Sequence, residues 1–272
     1  MDEVRYTPEG KNGNALQQVA FLIDFSRTLT TAEFKLIDNA RSNWTNLLPR
    51  RSVSKGVMIQ PTAFQISLDE SSIAGLAYEH LLPDGTVKIG LKVEANRLLF
   101  LVSDYTRWSE IWPNARDIFS CLLELLNNSV QILSFSSEYI DKFGFVGDYM
   151  EFDASNILDR KSPYLPQHIF ERKLNWHAHT GYFDEIATPA KHRVLTRINA
   201  DLRDDVELKS RELTLVLFHS LMGWGEPYVD GQPPLPSEIV SLGLKNFETL
   251  HQIDKTVLRS LLAAGMAKRI GL

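Results

Sequence analysis

A single cysteine, Cys121, is all the thiol chemistry in this chain of 272 residues. A disulfide needs two partners, so no intrachain framework can form, and a reducing compartment is expected. Cysteine pairs for structural zinc are missing for the same reason. No apolar run approaches the ~20 residues needed to cross a bilayer as a helix. Met1-Asp2-Glu3-Val4-Arg5 is too acidic and polar to read as a signal peptide. A cytoplasmic protein with no membrane association is therefore expected. Basic excess is lacking too: 29 Lys and Arg stand against 34 Asp and Glu, for a net charge of −5. No global field gathers nucleic acid or anionic lipid. The chain also has no Gly-x-x-x-x-Gly-Lys-Ser/Thr, no Gly-x-Gly-x-x-Gly, no Gly-x-Ser-x-Gly and no His-Glu-x-x-His. Together these absences lean away from an enzyme and lead to an expectation of no cofactor and no metal.

What is present is a good core-forming sequence. Hydrophobic residues make up 44% of the chain, which is enough to bury a core without staples. Val19, Phe21, Ile23 and Phe25 alternate with Ala20, Leu22 and Asp24, the period of a strand. Thr30-Thr31-Ala32-Glu33 is a capping box, and a helix after it carries Phe34, Ile37, Ala40, Trp44 and Leu48 on one stripe up to Pro49. Residues 52–69 read as irregular and extended. Pro83-Asp84-Gly85 marks a hairpin between 73–82 and 86–93, and Glu94-Ala95-Asn96 turns into another strand at Leu98–Val102. A long helix follows, with Ile111, Ala115, Ile118, Phe119, Leu122 and Leu126 inward and Pro113 tolerable if it lies in the first turn. Cys121 falls in that pattern as a small core residue. A strand is predicted from Val130 to about Phe143, and then at 172–183, 190–202 and 208–219. A last helix runs from about Leu244 to Lys268.

Helices alternate with runs of antiparallel strands, which indicates an α+β fold: a curved antiparallel sheet with three principal helices packed on one side. One domain over 1–272 is expected, divisible into intimate subdomains at 15–143 and 171–272 joined by 144–170.

Four segments resemble a sporadically distributed family of functionally uncharacterised bacterial proteins. They are Val19–Phe25, Tyr105-Thr106-Arg107-Trp108 leading into Phe119-Ser120-Cys121-Leu122-Leu123, the strand Ser137–Phe143, and Leu250-His251. In the third, Glu138-Tyr139-Ile140-Asp141-Lys142 stands against the family's arginine-tyrosine-isoleucine-asparagine-arginine, departing at Glu138 and at Asp141. The resemblance implies a place in mobile or defence islands and carries no agreed activity.

Several groups of residues could carry chemistry. His177, His179, Arg193 and Arg197 fall on one face of two paired strands, where guanidinium forks could hold phosphate or carboxylate. The outer face of an antiparallel sheet is ordinarily polar, so solvation explains them as well. His251 and Asp254 are helical neighbours at i, i+3, and Asp254 could orient His251 or raise its pKa. Tyr105, Trp108 and Trp112, which Trp44 and Trp176 could join, read first as core aromatics; beside Arg107 they could instead stack nucleic-acid bases, a partner the net charge does not favour. Trp224 and Tyr228, in the Pro/Gly segment 223–236, suit a recognition loop. A non-catalytic interaction or regulatory subunit with a protein partner or second copy of itself fits these signals. The alternatives are a binder of a small anion or nucleotide on strands 172–202, and a hydrolase or nuclease of unfamiliar type.

Overall fold

The alternation at Val19–Phe25 lies in one of the ten strands that form a single sheet among the described residues. The computed structural model describes residues 5–60, 65–126, 129–186, 192–205, 210–222 and 236–272. Its elements are β1 (Tyr6–Pro8), β2 (Leu16–Phe25), α1 (Thr31–Asn39), β3 (Arg50–Gln60), β4 (Gln65–Leu81), β5 (Val87–Glu94), β6 (Arg97–Val102), α2 (Trp108–Leu126) and β7 (Ile132–Val146). They continue with β8 (Trp176–Ile186), β9 (His192–Asp205), β10 (Ser210–Met222), α3 (Pro236–Leu261) and α4 (Ala264–Arg269). The strand order is β3-β4-β5-β6-β2-β7-β10-β9-β8, with β1 also on β7. Every pairing is antiparallel. β7 joins the two halves of the chain, pairing with β2 on one side and β10 on the other.

One row of cross-strand partners shows how the sheet is built. Tyr78, Leu91, Phe100, Phe21, Ser137, His219, Thr196 and Tyr182 are opposed in turn from β4 across to β8. Its first half is aromatic and aliphatic and takes helices. Phe100 meets Phe119 of α2, and Phe21 meets Phe247 of α3, each edge-on. Tyr78 donates to Asp38 of α1 at 2.9 Å. Burying each such ring contributes ~1.5–3 kcal/mol. The second half of the row is polar yet remains under cover.

Local signals explain the element ends. Thr30 accepts from the Glu33 amide while the Glu33 carboxylate accepts from the Thr30 amide, the expected capping box. Glu33 also takes two bonds from Arg27, at 2.8 and 3.0 Å, and one from Ser129 at 2.6 Å. These donors hold its carboxyl well below the usual range, Arg27 foremost. Gly85 supplies the positive φ, +84°, of the hairpin between β4 and β5. Gly243 lets α3 approach β7, since a Cβ there would lie 2.4 Å from the Phe135 ring.

The structure corrects several sequence expectations. The stretch 52–69 is not irregular, because β3 and β4 pair from Arg50↔Glu79 to Gln60↔Gln65. Two register shifts within that pairing break the simple alternation. α1 stops at Asn39 rather than at Pro49, and a 3-10 turn over Arg41–Asn43 follows. Asn and Ser there compete with the helix backbone, although Trp44 and Leu48 are still buried. Pro113 lies inside α2 beyond its first turn. Cys121 is half-buried, not fully internal, and its Sγ accepts from Asn43 Nδ2 at 3.2 Å. Helices number four among the described residues. Helix α3 ends at Leu261, Leu262 forms a bridge with Leu158, and α4 begins afresh at Ala264. The connection 144–170 is ordered by 3-10 turns and buries Phe152, Ile157, Leu158, Leu165 and Ile169. No described helix is long and apolar enough to cross a membrane.

Candidate functional site

Strand phase determines which polar side chains face the helices. On β7, Asp141 lies in phase with Tyr139 and Phe143; on β10, His219 lies in phase with Leu217 and Leu221. All of these residues are buried. Alternate residues share a face, so both polar groups are carried inward by apolar neighbours. On α3, Asp254 occupies the stripe of Phe247, Leu250, Leu258 and Leu261, also buried. Helical spacing therefore aims it at the same interior.

These residues meet beside a cavity of about 850 Å³. Its lining includes Gly13–Leu16 ahead of and within β2, the 105–108 segment leading into α2, Asp141, the α3 face of His251, Asp254, Lys255 and Leu258, and Arg269–Leu272. Asp141 is 2% exposed and Asp254 4%. Asp141 Oδ2 and Asp254 Oδ1 have no hydrogen-bond partner among the described residues. Burial pushes both carboxyl groups well above their ordinary pKa, and Asp254 raises Asp141 further by like charge. Lys255 opposes the shift of Asp254 without reversing it.

Two imidazoles flank these carboxyls: His251 lines the cavity, and His219 lies behind Asp254. His219 is fully buried, and its Nε2 stands 3.4 Å from Asp254 Oδ1. Desolvation lowers the His219 pKa to about 4. His219 Nε2 and Asp254 Oδ1 face each other without a hydrogen bond, and neither has another partner among the described residues. On its other side, His219 Nδ1 and Thr196 Oγ1 share a hydrogen bond of 3.1 Å. Thr196 in turn faces Tyr182, whose hydroxyl donates to Tyr164 at 3.3 Å. A polar chain thus runs beneath the sheet from Tyr164 to Asp254. His251 stacks on Trp108, with ring centres 4.0 Å apart and planes 3° from parallel. Burial first, and Lys255 second, lower His251 to about 4. The Tyr105 phenol is pushed up to about 12 by burial and by the two aspartates.

The expected pairing of Asp254 with His251 is therefore corrected. Asp254 approaches His219 instead, and the His251 pKa falls rather than rises, because desolvation and Lys255 act in the same direction there. Asp141, His219 and Thr196 went unrecognised as site residues. A signal existed: Asp141 and His219 are polar residues at inward positions of apolar strands.

His177, His179, Arg193 and Arg197 do share the opposite, exposed face of β8 and β9. The two imidazole centres are 5.3 Å apart. The arginines are more scattered: Arg197 lies opposite Gly181 and Arg193 opposite Glu185. At ~3.4 Å per residue the two arginines are ~13 Å apart along the strand. The Arg197 guanidinium rests 4.1 Å from the Phe218 ring centre. With Asp201 opposite His177 and Glu185 opposite Arg193, the face has mixed charge. Of the expected core aromatics, Trp112 and Trp44 are buried, while Trp108 is half-buried and lines the cavity. Trp224 and Tyr228 lie outside the described residues. No group of three or more His, Cys, Asp or Glu among the described residues could hold a metal ion.

The arrangement places two carboxyl groups of raised proton affinity beside one cavity. Thr106 is the hydroxyl nucleophile type among the described lining residues, and its Oγ1 donates to Glu110 at 2.6 Å. No protein-family model matches the chain, and no curated protein matches it.

Proposed function

We propose that this protein binds a small organic molecule in the cavity floored by Asp141 and Asp254. One observation carries the reading: two almost fully buried carboxyl groups line the same cavity, and Asp141 Oδ2 has no partner among the described residues. Leaving such an atom unsatisfied costs ~1–3 kcal/mol, and a ligand that donates to it recovers that cost. The volume suits a small-molecule site, and perturbed carboxyls beside stacked rings are what such sites concentrate. We place the ligand here rather than on the outer face of β8 and β9, where His177, His179, Arg193 and Arg197 are solvated and interspersed with acids. The test is a thermal-shift screen of a broad small-molecule library on the wild type and on Asp254→Asn. Compounds that raise the melting temperature of the wild type and lose that effect in the variant support the reading. Unchanged melting with every compound would sink it.

A second reading, an interaction subunit, is favoured by the β8 edge. β8 ends the strand order, and Phe183 on it is 60% exposed. An open edge is a template for pairing with another strand. Light scattering that gives a monomer at every concentration, together with unchanged behaviour of Phe183→Lys, would count against self-association through this edge.

A further inference from the structure

We infer that the ligand of the Asp141–Asp254 cavity is an amine with an acidic group at its far end, bound with the ammonium inward. This rests on the small-molecule reading above and adds the chemistry of the occupant. The cavity's charges are segregated by depth. Its buried part holds the two aspartates, Asp254 with Oδ1 against His219 at 3.4 Å and Asp141 with an Oδ2 that no described residue satisfies. An alkylammonium offers three N–H donors and the positive charge that favours ionisation of a carboxyl beside it. A carboxylate or phosphate placed there would meet like charge wherever either aspartate ionises.

The exposed part is different. Arg107 is solvent-exposed and Lys255 is half-buried, and both line the cavity. No hydrogen bond or ion pair of the Arg107 guanidinium occurs among the described residues. Glu110 is the acid at this level, and it is occupied by the Thr106 hydroxyl. A ligand anion at the mouth would find Arg107 and Lys255, while its cation lies deep. Between the two levels stands the His251–Trp108 stack, a flat surface against which an organic body can lie, with the indole face also attractive to a cation. Lining acids and bases then balance, Asp141, Asp254 and Glu110 against Arg107, Lys255 and Arg269, as expected for a dipolar guest.

The experiment uses three probes on one ring: para-aminomethyl-phenylacetate, benzylamine and phenylacetate. Binding is followed by ligand-observed NMR at millimolar probe with the full chain. The dipolar probe should bind most tightly, benzylamine next and phenylacetate least. Asp254→Asn and Asp141→Asn should each weaken benzylamine by about tenfold, the equivalent of one lost charged hydrogen bond. Arg107→Ala should weaken the dipolar probe about threefold, as an exposed pair would, and leave benzylamine unchanged. Circular dichroism of each variant confirms that it folds, and the three-probe ranking on the wild type stands without any variant. Phenylacetate binding as well as benzylamine, no detectable binding of any probe, or wild-type affinity in both folded aspartate variants overturns the inference. If native mass spectrometry recovers a ligand that lacks an amine and occupies the cavity, the charge assignment falls while the small-molecule reading stands.

Discussion

Glu33 and Asp254 are both shielded carboxyl side chains on helices, and their surroundings push them in opposite directions. Glu33 accepts from Arg27, Thr30 and Ser129, and its pKa falls. Asp254 sits in an apolar stripe, with one oxygen unsatisfied and a neutral histidine at 3.4 Å, and its pKa rises. The first carboxylate is part of how the fold is held. The second makes the fold less stable than it need be, which is the signature of a group kept for something other than stability. The same contrast separates the two halves of the sheet row: Phe21, Phe100, Leu91 and Tyr78 seal the helix contact, whereas Ser137, His219 and Thr196 carry polarity under it.

Substitutions at each pole test this contrast. The largest effect is expected at Glu33→Ala, which removes the capping box and the Arg27 pair. Chemical denaturation at pH 7 should show a loss of about 2–4 kcal/mol. Because the Glu33 pKa is depressed in the native state, its contribution is complete above the ordinary glutamate value and is lost as pH falls below it. The gap between wild type and variant should therefore narrow in acid.

Asp254→Asn and Asp141→Asn should do the reverse, raising stability at pH 7 by about 1–2 kcal/mol. Their native pKa values are raised, so above about pH 4 the unfolded chain ionises more readily than the native one, and the penalty grows with pH. The gain should vanish near pH 3, where wild-type carboxyls are protonated in both states. A loss of stability at pH 7 in both variants would break the contrast with Glu33.

The histidines give a smaller effect. His219 and His251 are held near pKa 4 against about 6.5 unfolded. Native stability should fall as pH drops from about 6.5 to about 4, because the unfolded state takes the protons. In His219→Gln, proton uptake on unfolding at pH 5, measured by calorimetry in buffers of different ionisation heat, should fall by about one. The smallest effect belongs to the outer face: His177→Ala and His179→Ala should each change stability by less than about 0.5 kcal/mol and leave benzylamine binding untouched. A tenfold weakening in either would move the site to that face.

Much of the frame was legible because its causes are local. The Thr30–Glu33 cap, the turn at Pro83-Asp84-Gly85 and the alternation of Val19–Phe25 each depend on residues close in sequence, and each is present in the structure. The pairing of β3 with β4 was missed because two register shifts interrupt the period of two. The break before α4 was missed because an apolar residue, Leu262, sits at it and pairs with Leu158 far away in the chain.

The site was half legible. His251 and Asp254 were singled out from their spacing, but their partners come from β7 and β10, and no helical periodicity names those. His177 and His179 stood out by spacing as well, yet they face solvent, because strand phase fixes which residues share a face and not which face is covered.

By itself the sequence determined the alternation of elements, the antiparallel character of the sheet and the inward phase of Asp141, His219 and Asp254. These follow from backbone periodicity and turn chemistry, which act over a few residues. The tertiary structure alone decided that these three side chains meet, that a cavity opens beside them and that their proton affinities diverge from ordinary values. Desolvation and charge proximity depend on what the rest of the chain places around a group, and that is set only when distant strands and helices close over it.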